Sequence, residues 1–158
     1  MSKFFEDISD CERFNIWLDK IGKKINEYGK LDLSNSFVNN SLPPHIQSVT
    51  NIKHLFLRDN KLIEFPDCII NMVQLKTLSL SLNNIKIIPD SIGGSTQSNV
   101  FPKKTNLINL EYLFLYNNEL SSLPDSINNL TNLKFLDIRN NKFLKKPIIN
   151  IPNIKLLI

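Results

Sequence analysis

Apolar residues recur in short bursts along this chain, each burst split by one residue of another kind. Leu31 and Leu33 flank Asp32; Leu55 and Leu57 flank Phe56; Leu78 and Leu80 flank Ser79. Leu113 and Leu115 flank Phe114, and Leu136 and Ile138 flank Asp137. Alternation over so few residues predicts very short strands with one buried face. The leading leucines are spaced by 24, 23, 35 and 23 residues, and a last, incomplete copy is expected to open at Leu157, 21 further on. Three copies then continue alike, as "KLIEFPDCI", "NIKIIPDSI" and "ELSSLPDSI". One copy cannot bury its own apolar side, whereas stacked copies share a continuous core.

Four of the five bursts are followed by an asparagine, at Asn60, Asn83, Asn118 and Asn141. An amide offers both donor and acceptor, so a stack of them can satisfy backbone groups that a bending chain would bury unpaired. Ser36 holds this place in the first copy, and its smaller hydrogen-bonding capacity suits an end repeat. Pro66, Pro89, Pro124 and Pro147 remove a donor and fix φ, which predicts a tight or extended return path in place of a full helix. Ile69, Ile92 and Ile127 then turn inward, as do Leu130 and Leu133.

Roughly residues 25–158 resemble the leucine-rich repeat family in the form L-x-x-L-x-L-x-x-N-x-L-x-x-L-P-x-x-I. The resemblance implies an α/β solenoid: a concave parallel sheet, an irregular or 3-10 convex side and an amino-terminal capping helix. It also implies protein–protein interaction without chemistry. Residues 1–30 are expected to form the helical cap and 31–158 the repeats, about five and a half copies in one structural domain.

Residues 9–28 open on Ser9 with Glu12 three positions later, a capping box. Phe14, Trp17, Leu18, Ile21, Ile25 and Tyr28 follow at helical spacing, and Gly29 is placed to stop the helix. Covering the first repeat accounts for this stripe better than contact with a partner. The helix and the following Leu31, Leu33 and Leu42 to Ile46 are also similar to the start of leucine-rich-repeat effectors that bacteria inject into host cells. A secreted bacterial effector and a signalling scaffold are therefore the two roles expected. Residues 93–104, "GGSTQSNVFPKK", form an insertion on the return side and a candidate contact loop. The carboxy-terminal strand is apolar, and self-association through its edge is expected.

Composition narrows the chemistry. The amino terminus, "MSKFFEDISD", carries no apolar run, and no stretch approaches the roughly 18 apolar residues of a membrane span. A cytoplasmic location (host cytosol for an effector) and no membrane partner are expected. Cys11 and Cys68 lack a CxxC partner, and His45 and His54 are the only histidines, so neither metal nor cofactor is expected. Asp67, Asp90 and Asp125 recur in equivalent turns and read as repeat chemistry, not catalytic carboxylates. No enzymatic activity is expected. The net charge of +4 admits an acidic partner.

The residues beside the buried leucines should face the concave side. Aligned copies place Lys30, His54, Thr77, Tyr112 and Phe135 in one row, and Asp32, Phe56, Ser79, Phe114 and Asp137 in the next. A third row holds Ser34, Arg58, Ser81, Tyr116 and Arg139, and a fourth Asn35, Asp59, Leu82, Asn117 and Asn140. Tyr112, Phe114, Tyr116 and Phe135 are expected to form one exposed cluster, with Phe56, Arg58, Asp137 and Arg139 completing the partner-binding face. The alternative is a nucleic-acid or phosphorylated-ligand binder using Arg58, Arg139 and the lysines Lys142, Lys145 and Lys146. The acids Asp32, Asp59 and Asp137 on the same sheet weigh against it.

Overall fold

The structure is a computed structural model and describes residues 9–20, 22–36, 42–94 and 107–158. Among the described residues one α-helix, α1 (Asp10–Lys20), precedes six strands. These are β1 (Lys30–Asp32), β2 (His54–Phe56), β3 (Thr77–Ser79), β4 (Tyr112–Phe114), β5 (Phe135–Asp137) and β6 (Lys155–Leu157). They form one open parallel sheet in the order β1-β2-β3-β4-β5-β6. All neighbouring pairs are parallel and in register, with Leu31, Leu55, Leu78, Leu113, Leu136 and Leu156 in one file.

That file corrects the last repeat. Leu156, not Leu157, pairs with Leu136. The true L-x-I is Leu156-Leu157-Ile158, matching Leu136-Asp137-Ile138. A slip of one residue exchanges the faces of a strand, so Leu157 joins the concave row beside Asp137.

Returning chain forms short 3-10 turns. Pro66, Pro89 and Pro124 stand just ahead of the turns Asp67–Asn71, Asp90–Gly93 and Asp125–Asn129, with φ near the proline value at −71°, −71° and −70°. The amides of Ile69, Ile92 and Ile127 donate to the carbonyls of those prolines. This bond holds each isoleucine against the core, where all three are buried. No such turn follows Pro147. The insertion begins and ends on this side, since the Leu107 amide donates to the Ile92 carbonyl. Apart from Gly93 and Gly94, the expected contact loop lies outside the described residues.

The predicted capping box is formed. The Glu12 amide donates to Ser9 Oγ (3.2 Å), and the Ser9 amide donates to Glu12 Oε2 (2.8 Å). α1 packs on the first 3-10 turn, Pro44–Ser48, through buried Phe14 and Leu18, and Trp17 stacks on Phe14 at 5.5 Å. The helix ends earlier than the apolar spacing suggests. Gly22 adopts φ +65°, its amide donates to the Asp19 carbonyl, and the Lys23 amide reaches Leu18. This paired closure is a left-handed glycine stop. Ile25 therefore packs from extended chain, and Tyr28 is exposed. Gly29 has another duty: a Cβ there would meet the Asn51 carbonyl oxygen at 2.3 Å.

The asparagines form the expected ladder. Asn83 donates to the carbonyls of Leu57 (2.9 Å) in the preceding copy and Leu80 (2.8 Å) in its own. Its Oδ1 accepts the amides of Asn60 and Leu62, both at 3.0 Å. Asn118 and Asn141 repeat the bridge, donating to Leu80 and Leu115 of the preceding copies and accepting from Ile85 and Leu120. Asn83→Ala would strand several buried backbone groups, each worth about 1–3 kcal/mol. We expect it to lower stability by about 3–5 kcal/mol in urea unfolding, whereas Asn84→Ala, one residue on and exposed, should cost little.

Candidate concave interface

The strand register assembles the site. Tyr112 and Phe135 pair across β4 and β5, as do Phe114 and Asp137. Beyond the strands the Leu82 amide donates to the Tyr116 carbonyl and Asn117 to Arg139, which keeps Tyr116 and Arg139 in the same file. Phe114 and Phe135 lie 5.2 Å apart with rings tilted by 40°. Arg139 grips Asp137 through Nε (3.0 Å) and a terminal nitrogen (2.8 Å), and its guanidinium lies 5.6 Å from the Tyr116 ring centre. Asp137 holds the guanidinium pKa above its usual value.

Tyr112, Phe114, Tyr116, Phe135, Asp137 and Arg139 are thus brought together. Exposure within the cluster is less than the pattern suggests: Tyr112 is 39% exposed, while Phe114, Tyr116 and Phe135 are half-buried. Asp137 is only 5% exposed and acts as the seat of Arg139. Phe56 and Arg58 stand apart on the β2 side. Between them and the cluster run Thr77, Ser79 and Ser81, all buried. The two groups are two strand spacings apart, roughly 10 Å.

Two lysines outside the expected partner-binding set, Lys30 of the first row and Lys155, join the face. Lys30 Nζ lies 4.7 Å from the Phe56 ring centre and Lys155 Nζ 5.7 Å from that of Phe135. Both occupy the first concave row, so their register was the available signal. His54 Nδ1 sits 2.9 Å from Thr77 Oγ1. Burial, then Lys76 and Lys53, hold this imidazole below its usual pKa.

The fourth row is a backbone feature. Asn35, Asp59, Leu82, Asn117 and Asn140 all have positive φ, between 53° and 57°. Asn and Asp tolerate this conformation, whereas a leucine there is strained. Leu82→Asn should raise stability by about 0.5–1 kcal/mol, measured as the shift in urea midpoint at constant slope.

Reactive groups are sparse. Among the described residues no three His, Cys, Asp or Glu side chains could hold a metal ion. Burial pushes the Cys68 thiol up to about 11, and Cys11 is exposed. Maleimide at neutral pH should therefore label Cys11 at least about 100-fold faster than Cys68, read by peptide mass spectrometry. Some basic groups are held by acids. Lys76 and Lys134 share Glu111 (3.3 and 2.6 Å), Lys142 meets Glu119 (3.1 Å), and Arg139 is held by Asp137.

The open in-register sheet, the 3-10 return path and the asparagine ladder define a leucine-rich-repeat solenoid. The family model for Leucine Rich repeats (2 copies) matches residues 108–155, and that for Leucine Rich Repeat matches residues 74–95. Both models describe leucine-rich repeats, and these two stretches of the chain carry them. Similar solved structures include a leucine-rich-repeat protein of Leptospira interrogans, 27% identical with a TM-score of 0.57, over 73% of this chain and 27% of that one. YopM, a leucine-rich effector protein from Yersinia pestis, is 24% identical with a TM-score of 0.56, over 95% of this chain and 41% of that one. InlP of Listeria monocytogenes is 26% identical with a TM-score of 0.52, over 73% and 36%. This chain therefore spans from about a quarter to two fifths of the length of these proteins. A search of curated proteins returns no match. Leucine-rich-repeat folds generally serve protein–protein interaction and are generally non-enzymatic.

Proposed function

We propose that this chain is a non-enzymatic binding module that grips a partner protein with the β4–β5 side of its concave face. One observation carries the reading: four aromatic rings, Tyr112, Phe114, Tyr116 and Phe135, lie on or just beyond two adjacent strands around a seated arginine. Aromatics and arginine at the centre of a patch are the composition of a binding hot spot. Cross-strand packing alone does not call for such a concentration on a wet face. The nucleic-acid alternative is weakened by the pairing of Arg139 and Lys142 with acids. A secreted effector and a cytoplasmic signalling scaffold would both use this contact.

Tyr112→Ala/Phe114→Ala/Tyr116→Ala, confirmed as folded by circular dichroism, should lose its partner. Proteins captured from eukaryotic cytosol by wild type and not by the variant would identify the ligand, and its affinity should drop at least about 100-fold. Equal capture by both chains would exclude the aromatic cluster as the site.

A further inference from the structure

The return path of the fifth copy reverses the usual order of apolar and polar residues. Earlier copies run Phe65-Pro66-Asp67, Ile88-Pro89-Asp90 and Leu123-Pro124-Asp125. In them the residue before proline packs inward and the acid after it is exposed. The fifth copy instead reads Lys146-Pro147-Ile148. Lys146 is exposed, and so is Ile148, at 79%. Leu144 occupies the place held by Ile63, Lys86 and Ser121, all exposed, and is itself 91% exposed. These are outward positions of the repeat, not surfaces on which another copy would stack.

Charge on this segment is one-sided. Residues 142–158 contain four lysines and no acid. Lys142 is paired with Glu119, but among the described residues Lys145 and Lys146 have no ion pair. Two bare aliphatic side chains therefore bracket two unpaired ammonium groups. Single exposed leucines are ordinary; an aliphatic–lysine–lysine–aliphatic tip is a different object.

We infer that residues 142–149 form a peripheral docking site for an anionic lipid surface. Leu144 and Ile148 would enter the boundary between headgroups and acyl chains, with Lys145 and Lys146 among the anionic headgroups. The expectation of no membrane partner rested on spanning segments, and no helix among the described residues is long and apolar enough to cross a bilayer; surface docking needs none. Nucleic acid would leave the aliphatic tips without a role, and Phe143 packs on the core where it cannot stack bases. An acidic peptide seated in the depression of about 420 Å³ between the fourth and fifth copies would meet Asp125 beside the two lysines. A membrane surface would meet the exposed tips without filling it.

The test is co-sedimentation of the whole chain with phosphatidylcholine vesicles, with and without phosphatidylserine. Binding is expected only with phosphatidylserine, and high salt should release it. Lys145→Glu/Lys146→Glu should lower partitioning on the order of 30-fold or more, and Leu144→Ser/Ile148→Ser about tenfold. Both variants change exposed side chains, and equal thermal melts would confirm their folding. The concave triple-alanine variant should sediment like wild type, which separates this site from the proposed protein-binding face. Failure to sediment with phosphatidylserine overturns the inference, and so does binding that both loop variants retain. Capture of a soluble acidic protein through this loop, without vesicle binding, would also overturn it.

Discussion

Everything in this structure depends on how a chain that turns sharply after each three-residue strand satisfies its buried backbone. The asparagine ladder answers that, and it has a direction. Each amide gives one hydrogen to the preceding copy and another to its own, while each carbonyl receives amides of the preceding copy. A copy therefore relies on its successor to close its turn. The first copy has no predecessor to serve, so Ser36 is sufficient there, and its own amide is taken by Asn60 Oδ1 at 3.1 Å. α1 then covers the apolar layer that this first turn leaves open.

The same turn determines which concave positions are free to vary. The residue ahead of each ladder position, Ser36 included, adopts left-handed backbone, from Asn35 through Asn140. That row is chosen for conformation, and Asn or Asp fills it in every copy except the third. Leu82 breaks the rule at a half-buried position beside the Tyr116 strand. The three rows ahead of it carry no such constraint. Their aromatics therefore say more about binding than the fourth row can.

Legibility followed the same physics. Repeats, rows and inward isoleucines were readable because each follows from period and register alone. The end of α1 was not, because Ile25 and Tyr28 continue a helical spacing that Gly22 has already interrupted. The last strand was misjudged by one residue because Leu156, Leu157 and Ile158 are all apolar and offer no contrast to mark a face. Within the site, the file positions of Tyr112, Phe114, Tyr116 and Phe135 were visible. Their partial burial and the seating of Arg139 on Asp137 were not, since side-chain contacts within one strand leave no periodic trace.

That seating changes what the patch can do. A free arginine loses rotamer freedom when a partner immobilises it, at a cost of about 0.5–1.5 kcal/mol. Arg139 has been placed beforehand by two hydrogen bonds to Asp137 and by the face of Tyr116. Phe114 and Phe135 restrain one another in the same way. Asp137, though nearly buried, thus orders the patch, and a partner bound there as proposed would meet rings already ordered. The fifth-copy tip is built on the opposite principle. Leu144 and Ile148 project with little to restrain them, which suits a fluid surface that adapts to the protein better than a rigid one that must be matched.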